Sequence, residues 1–83
     1  MDVRGQTLRI LDQTLGLQGR SASFSDATPL LGAIPELDSM AVVSLITSLE
    51  EQFGFTVDDD ELTGSTFASV GSLVSFVSSK LSV

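Results

Sequence analysis

The most conspicuous candidate for chemistry in this sequence is a serine, Ser39, which lies between Asp38 and Met40 at the predicted start of a helix. A serine becomes a hydrolytic nucleophile when an adjacent base, most often histidine, removes its proton. The sequence contains no histidine, and Ser39 is not part of the Gly-x-Ser-x-Gly turn that presents many such nucleophiles. These residues therefore do not predict a serine hydrolase.

The other reactive groups are carboxylates. The acidic run at 58–61 suggests a calcium loop, but an EF-hand that starts at Asp58 needs glycine and glutamate where the sequence has Thr63 and Ser69. Glu50 and Glu51 are neighbours on a predicted helix and diverge by about 100°, which suits them poorly as a paired acid and base. With no cysteine there is no thiolate site. We predict no enzyme and no specific metal site, and weak divalent-cation binding stays open.

The charge of the sequence restricts its partners. The net charge is −7, and the segment from Ser21 to Ser79 contains no base. Such a surface repels nucleic acid and anionic lipid and attracts proteins with basic patches, although it also serves solubility alone. The sequence has no signal-peptide pattern at its start and no run of about 20 apolar residues, so we expect a cytoplasmic protein without membrane insertion. Its four bases are Arg4, Arg9, Arg20 and Lys80.

Three segments have the apolar periodicity of helices. The first runs from Val3 to Leu15, between a predicted N-cap at Asp2 and a stop at Gly16. The second runs from Ser39 to Phe53, between Asp38 and Gly54, and the third follows a cap at Ser69. The predicted core stripe of the second helix, which leaves Met40 and Val43 outside it, comprises Val42, Leu45, Ile46, Leu49 and Phe53.

The remaining segments connect these helices. Residues from Leu17 to Leu37 have no sustained period, so they predict a long loop with room for a short helical turn. The acids at 58–61, with Leu62, predict a short helix. Residues 1–83 thus predict one all-α domain, a small bundle of three main helices plus one short helix, with a long loop between helices 1 and 2. The apolar residues expected to pin that loop are Phe24, Leu30, Leu31, Ile34 and Leu37.

The segment around Ser39 resembles the acyl carrier protein family. Asp-Ser-Leu at the start of the second helix is that family's modification motif, and this sequence has Asp38-Ser39-Met40. The run Leu-Glu-Glu-Gln-Phe-Gly at 49–54 is similar to the Leu-Glu-Glu-x-Phe run of carriers, and the acidic third helix and the segment from Ser69 to Val74 extend the match. The resemblance covers essentially the whole chain and is most specific from Leu37 to Leu62.

The resemblance implies a covalent modification at Ser39. A phosphopantetheinyl transferase, aided by Mg²⁺, would move the 4′-phosphopantetheine arm of coenzyme A onto the Ser39 hydroxyl. A phosphodiester is an anion, which the free N–H groups and dipole of a helix N-terminus favour. Asp38 would cap the helix and help the transferase to position metal and serine, and Met40 would replace the family's leucine as an apolar contact. The protein would carry acyl groups as thioesters without itself being an enzyme.

The sequence departs from fatty-acid-type carriers at two positions. Their two early acids on the second helix correspond here to Ala41 and Ser44. This change favours acyl-activating, acyltransferase or synthase partners with basic or apolar patches over standard fatty acid synthase partners. The phrase Pro-Glu-Leu-Asp-Ser-Met also resembles stand-alone bacterial carriers of exosortase and exopolysaccharide systems; lipid and polyketide biosynthesis remain alternatives. The predicted docking face comprises Glu36, Met40, Ala41, Val43, Ser44, Glu50 and Glu51.

Two other interpretations stay open. A peptidyl or aminoacyl carrier shares the fold and the arm, but usually has Gly-Gly-x-Ser-Leu around its serine. An unmodified helical adaptor would use the second helix only as an interaction face. For an acyl carrier we expect a monomer, and an interior widened near Val43, Leu45, Ile46 and Val70 is a candidate shelter for the acyl chain, with core packing as the alternative role.

Overall fold

The computed structural model describes residues 2–61 and 64–81, and its regular structure is helical. Helix α1 spans Val3–Leu15, α2 spans Ser39–Phe53 and α3 spans Val70–Leu81. Two 3₁₀ turns, Arg20–Ser23 and Asp59–Glu61, lie in the connections. The predicted all-α fold is confirmed, and the predicted short helix is a single 3₁₀ turn. Leu62, its predicted end, and Thr63 lie outside the described residues.

The helices begin and end where local chemistry requires. Asp2 Oδ1 accepts the N–H of Gly5 at 2.9 Å, which confirms Asp2 as the cap of α1. Both α1 and α2 end at a glycine in the left-handed conformation, with φ of 66° at Gly16 and 74° at Gly54. At α3, Ser69 Oγ accepts the N–H of Ser72 at 3.2 Å and Ser72 Oγ accepts the N–H of Ser69 at 3.0 Å. This reciprocal pair satisfies two backbone donors at the helix start.

Helix α1 is the centre of the bundle, because it packs against both α2 and α3. Its Leu11 is completely buried, and so are Leu45 and Leu49 of α2 and Leu73 of α3. The predicted stripe of α2 is confirmed at its centre, whereas Val42 and Phe53 at its two ends are only partly buried against the core. The core that holds these helices together comprises Val3, Ile10, Leu11, Leu15, Leu17, Leu30, Leu37, Leu45, Ile46, Leu49, Phe67, Val70, Leu73 and Val77.

The first part of the long loop is fixed by Asp12 on α1. Its carboxylate accepts the Ser21 hydroxyl at 2.7 Å and the backbone N–H groups of Gly19 and Ser21 at 3.1 to 3.2 Å. The hydroxyl of Ser21 and the N–H of Gly19 hold the pKa of Asp12 below its ordinary value, since both stabilise the charged form. The chain therefore turns back against α1 directly after that helix ends.

The second part of the loop is tied to the start of α3 by backbone hydrogen bonds. Leu30 N–H donates to Ala68 O at 3.0 Å, Leu31 N–H donates to Phe67 O at 2.9 Å, and Gly71 N–H donates to Asp26 O at 2.9 Å. These bonds supply the partners that an irregular backbone segment lacks within itself. The loop is thereby held across the end of the bundle.

Side chains along the loop divide between core and surface. Leu30 and Leu37 are buried and Phe24 and Ile34 partly so, which confirms that apolar side chains pin the loop. Leu31 was expected to join them, and this expectation is wrong, because its side chain is 44% exposed. The chain turns directly after Leu30, whose carbonyl oxygen accepts the N–H groups of Ala33 and Ile34 at 3.1 and 3.0 Å, and Leu31 lies at the surface of this turn.

A close approach of the loop to α3 generates a stability prediction at Gly71. A Cβ atom at this position would lie 3.0 Å from Asp26 O and 3.3 Å from Asp26 Cβ. Overpacking of this kind outweighs the gain in helix propensity, so we expect Gly71→Ala to lower the free energy of unfolding by about 1 kcal/mol. Urea denaturation measures the change. The matched substitution Ser75→Ala, at an exposed position of α3, should not destabilise the protein, and an equally stable Gly71→Ala would contradict the packing.

Candidate functional site

The start of α2 is shaped by Asp38, whose backbone is extended with φ of −107° and ψ of −174°. Its Oδ1 accepts the N–H of Ala41 at 2.8 Å, and its carbonyl oxygen accepts the N–H of Val42 at 2.9 Å. The predicted N-cap is therefore confirmed. One of the first amides of the helix is satisfied by the cap, while those of Ser39 and Met40 have no carbonyl within the helix to bind.

Ser39 is the first residue of α2, and it is exposed. Its hydroxyl is accessible from solvent at the end of the helix where unsatisfied N–H groups concentrate positive potential. An oxygen-linked phosphate at this serine lies at the favourable end of the dipole. The residues present therefore fit a covalently attached phosphate group.

Two residues anchor the segment that leads into α2, Leu37 by burial and Glu36 by an ion pair. Leu37 is buried, and its N–H donates to Ile34 O at 3.0 Å. The carboxylate of Glu36 accepts a hydrogen bond from Nη2 of Arg20 in an ion pair. The pKa of Glu36 is lowered, first by its own backbone N–H and then by the hydrogen bond from Arg20. Glu36, a predicted docking residue, is thus engaged within the protein.

Beyond the serine, α2 presents an apolar patch, formed by Met40 and Val43. Their exposed fractions are 78% and 65%, the highest among the large apolar side chains that the structure describes. The two residues lie three positions apart and therefore share one side of the helix. Ala41 is half-buried against the core, so it contributes less to the predicted face than expected.

The polar residues of the predicted docking face have different surroundings. Ser44 and Glu51 are exposed, as a docking role requires. Glu50 is half-buried, and its Oε2 accepts the N–H of Val57 at 2.7 Å. This bond fixes the chain after α2, which gives Glu50 a structural role that helix stability alone does not reveal.

Two roles were considered for Val43, Leu45, Ile46 and Val70, namely shelter of an acyl chain and core packing, and the structure supports core packing for the last three. Val43 lies beside the core stripe of α2 and faces outward, while Leu45, Ile46 and Val70 are each at most 7% exposed within the packed core. Two open grooves border α1, one of about 470 Å³ that includes Gln52 and one of about 560 Å³ beside residues 21–24. Neither groove is lined by the residues expected to shelter an acyl chain.

The acidic run at 58–61 is used in part for structure. Glu61 accepts hydrogen bonds from the N–H of Asp58 at 2.8 Å and from Nζ of Lys80 at 2.9 and 3.0 Å. These donors, Asp58 first, lower the pKa of Glu61. Among the side chains that the structure describes, no group of three acids is arranged to hold a metal ion.

Comparison with known proteins decides the family. A family model described as the phosphopantetheine attachment site matches residues 8–77, which include Asp38, Ser39 and Met40. The chain belongs to the acyl carrier protein family. Its structure is similar to the solution NMR structure of a holo acyl carrier protein from Nitrosomonas europaea, with a TM-score of 0.88 and 48% identity over 100% of this chain and 99% of that one.

A second protein that is similar to this chain is named for a different cargo, an aminoacyl group. Aminoacyl carrier protein 1 of Bradyrhizobium diazoefficiens is 31% identical over 81 residues, which cover 96% of this chain and 87% of the relative. The predicted family, carrier role and 4′-phosphopantetheine cofactor are confirmed by these matches. The family acts as a carrier for enzymes that handle acyl groups and is modified by phosphopantetheinyl transferases. Within the described residues, every helix is too short or too polar to cross a bilayer.

Two sets of side-chain contacts in the loop before α2 could not be predicted from the sequence. Arg20 and Glu36 form their ion pair across a span of irregular sequence, and Asp12 binds Gly19 and Ser21 from within α1. Periodicity and capping rules address residues a few positions apart, so neither rule predicts contacts of this kind.

The cap of α2 leads to a prediction for Asp38. Asp38→Ala removes the acceptor for the Ala41 N–H and should lower the free energy of unfolding by about 1 kcal/mol. Asp38→Asn keeps an acceptor oxygen and should remain close to wild type in the same urea titration. If both variants lose equal stability, the hydrogen bond to Ala41 is not what Asp38 contributes.

Proposed function

We propose that Ser39 is the residue that bears the 4′-phosphopantetheine arm. The observation that carries this proposal is an exposed serine at the first position of a capped helix, within the matched phosphopantetheine attachment region. The family's Asp-Ser-Leu motif falls on Asp38, Ser39 and Met40. Residues 1–83 then form a single carrier domain.

The residues around Ser39 divide the work of the site. The arm, when bound, supplies a terminal thiol that holds an acyl group as a thioester. The free amides at the start of α2 stabilise the negative charge of the attached phosphate. Asp38 caps the first turn through the N–H of Ala41 and also offers a carboxylate to the metal of the transferase. Met40 provides an apolar contact for the incoming enzyme.

Partner recognition rests on the apolar patch. Met40 and Val43 offer a surface that gains free energy when a partner covers it, while exposed Glu51 attracts a basic rim. Partners of this type are acyl-activating enzymes, acyltransferases or synthases with a pocket for the patch. We assign the carrier to a dedicated pathway, with exopolysaccharide-related biosynthesis ahead of fatty acid or polyketide synthesis, and expect a cytoplasmic monomer.

A second candidate cargo is an amino acid. The support for it is the aminoacyl carrier protein from Bradyrhizobium diazoefficiens, which matches this chain over nearly its whole length. The 48% identity to the acyl carrier protein from Nitrosomonas europaea favours an acyl group. Both cargoes use the same thiol and the same serine, so the choice depends on the loading enzyme.

The attachment site predicts a mass change. Incubation of the purified protein with coenzyme A, Mg²⁺ and a phosphopantetheinyl transferase should raise its intact mass by one phosphopantetheine, and Ser39→Ala should abolish the gain. Ser44→Ala, at an exposed serine of the same helix, is the matched control and should still be modified. Modification of Ser39→Ala, or failure of the wild type with several transferases, would reject the proposal. The mass of protein isolated from its native cells distinguishes acyl from aminoacyl cargo.

The apolar patch predicts the effect of polar substitutions. Met40→Ser and Val43→Ser remove contact surface that is exposed in the free protein, so we expect little change in stability and about a fivefold or larger rise in the KM of the transferase for the carrier. Steady-state kinetics measure this value. Gln52→Ser, an exposed substitution further along α2, should leave KM unchanged. If Met40→Ser and Val43→Ser have the same KM as Gln52→Ser, the transferase recognises another surface.

A further inference from the structure

The two ends of the long loop are joined by a pair of charged side chains. Arg20, just after α1, donates Nε to Leu17 O at 3.2 Å and Nη2 to the carboxylate of Glu36. The position of Arg20 is fixed in turn by the bonds from Asp12 to its neighbours Gly19 and Ser21. The guanidinium is therefore held from the side of α1 and reaches across to the residues that precede α2.

Glu36 occupies a sensitive place in the chain. Two residues separate it from Ser39, and these are the buried Leu37 and the cap Asp38. Its Oε1 is shielded from solvent, and no other described residue donates a hydrogen bond to that atom. The Glu36 side chain is 35% exposed, and its hydrogen bond from Arg20 is the side-chain contact that holds it, so loss of Arg20 should release Glu36 from its position and loosen the segment that leads into α2.

The other ion pairs of the described residues lie elsewhere. Arg4 pairs with Asp26, and Lys80 pairs with Glu61 at the far end of the chain. Neither includes a residue next to the start of α2. Exposed ion pairs contribute little to global stability. The effect that we expect of the Arg20–Glu36 pair is therefore local, on the segment that leads to Ser39.

We propose that the Arg20–Glu36 ion pair is a positioning contact for the phosphopantetheine attachment site. It closes the long loop on itself and holds the Leu37–Asp38 segment so that the Ser39 hydroxyl is presented in the form that the transferase binds. The inference rests on the proposed role of Ser39 and deepens it. Neither Arg20 nor Glu36 touches the reacting atoms; both act through the backbone that carries Ser39.

Loss of the ion pair should affect the KM for the carrier through the conformations that the segment before α2 samples. When the pair is broken, the segment before α2 samples positions that the transferase does not bind, and apparent affinity falls by the fraction that remains competent. The chemical step is unchanged once the carrier is bound. We therefore expect Arg20→Gln and Glu36→Gln each to raise the KM for the carrier about two- to fivefold, the range of an exposed ion pair, with kcat unaltered.

The test uses the full chain with coenzyme A, Mg²⁺ and a phosphopantetheinyl transferase, and measures KM, kcat and the amide hydrogen exchange of Leu37. Exchange at Leu37 should accelerate in both single variants, because its N–H bond to Ile34 O depends on the fixed segment. The double variant should be no worse than either single one, since both substitutions remove the same contact. Arg20→Lys, which keeps the charge, should recover most of the wild-type KM.

Lys80→Gln provides the matched control, because it breaks an ion pair that includes no residue of the segment before α2 and should leave KM and Leu37 exchange unchanged. Wild-type values in Arg20→Gln would overturn the inference. A raised KM without faster exchange at Leu37, or effects on KM that multiply in the double variant, would show that the two residues contact the transferase directly, and would overturn the inference. Faster exchange at Leu37 with an unchanged KM would also overturn it. Failure of the proposed function is distinguishable, because the wild type would then gain no mass at Ser39.

Discussion

Backbone hydrogen bonds between residues 26–31 and residues 67–71 tie the long loop to the beginning of α3, and the placement of α2 depends on them. Without this attachment the loop would be a free connection between two helices, and its ordering would cost conformational entropy without compensation. Leu30 enters the core between the bonded positions, so backbone pairing and apolar burial stabilise the same geometry. The loop delivers the chain to Asp38 along a single path, and α2 begins there because the cap is already in place.

Helix α2 meets two opposing requirements. Its inner side, centred on Leu45 and Leu49, must bury apolar surface against α1 to hold the domain together. Its outer side keeps Met40 and Val43 in water, where they contribute nothing to folding. The stability of the domain is therefore carried by one side of the helix, and the other is free to change with the partner.

The parts of this structure that sequence predicts are those governed by local rules. Asp2 and Asp38 mark helix starts, and Gly16 and Gly54 mark ends, because each acts on backbone groups within a few residues. Ser39 as a candidate site rests instead on the resemblance of the segment from Leu37 to Leu62 to acyl carrier proteins, since Asp and Ser are also common at ordinary helix starts. What could not be predicted depends on distant partners: Leu30 rather than Leu31 is buried once the loop is bonded to residues 67–68, and Arg20 contacts Glu36 only after the loop has folded back. The cargo cannot be predicted from this sequence, since it depends on the enzyme that loads the carrier.

The exposure of Met40 has a chemical consequence for handling the protein. A thioether that is 78% exposed is open to oxidants, and conversion to the sulfoxide adds a polar oxygen and makes the sulfur chiral, within the apolar patch that Met40 forms with Val43. The fold would not register this change, because Met40 lies outside the core. If the apolar patch docks partners as proposed, an oxidised sample would keep its helical spectrum and unfolding midpoint but lose affinity for those partners, so the redox history of a preparation would affect its activity.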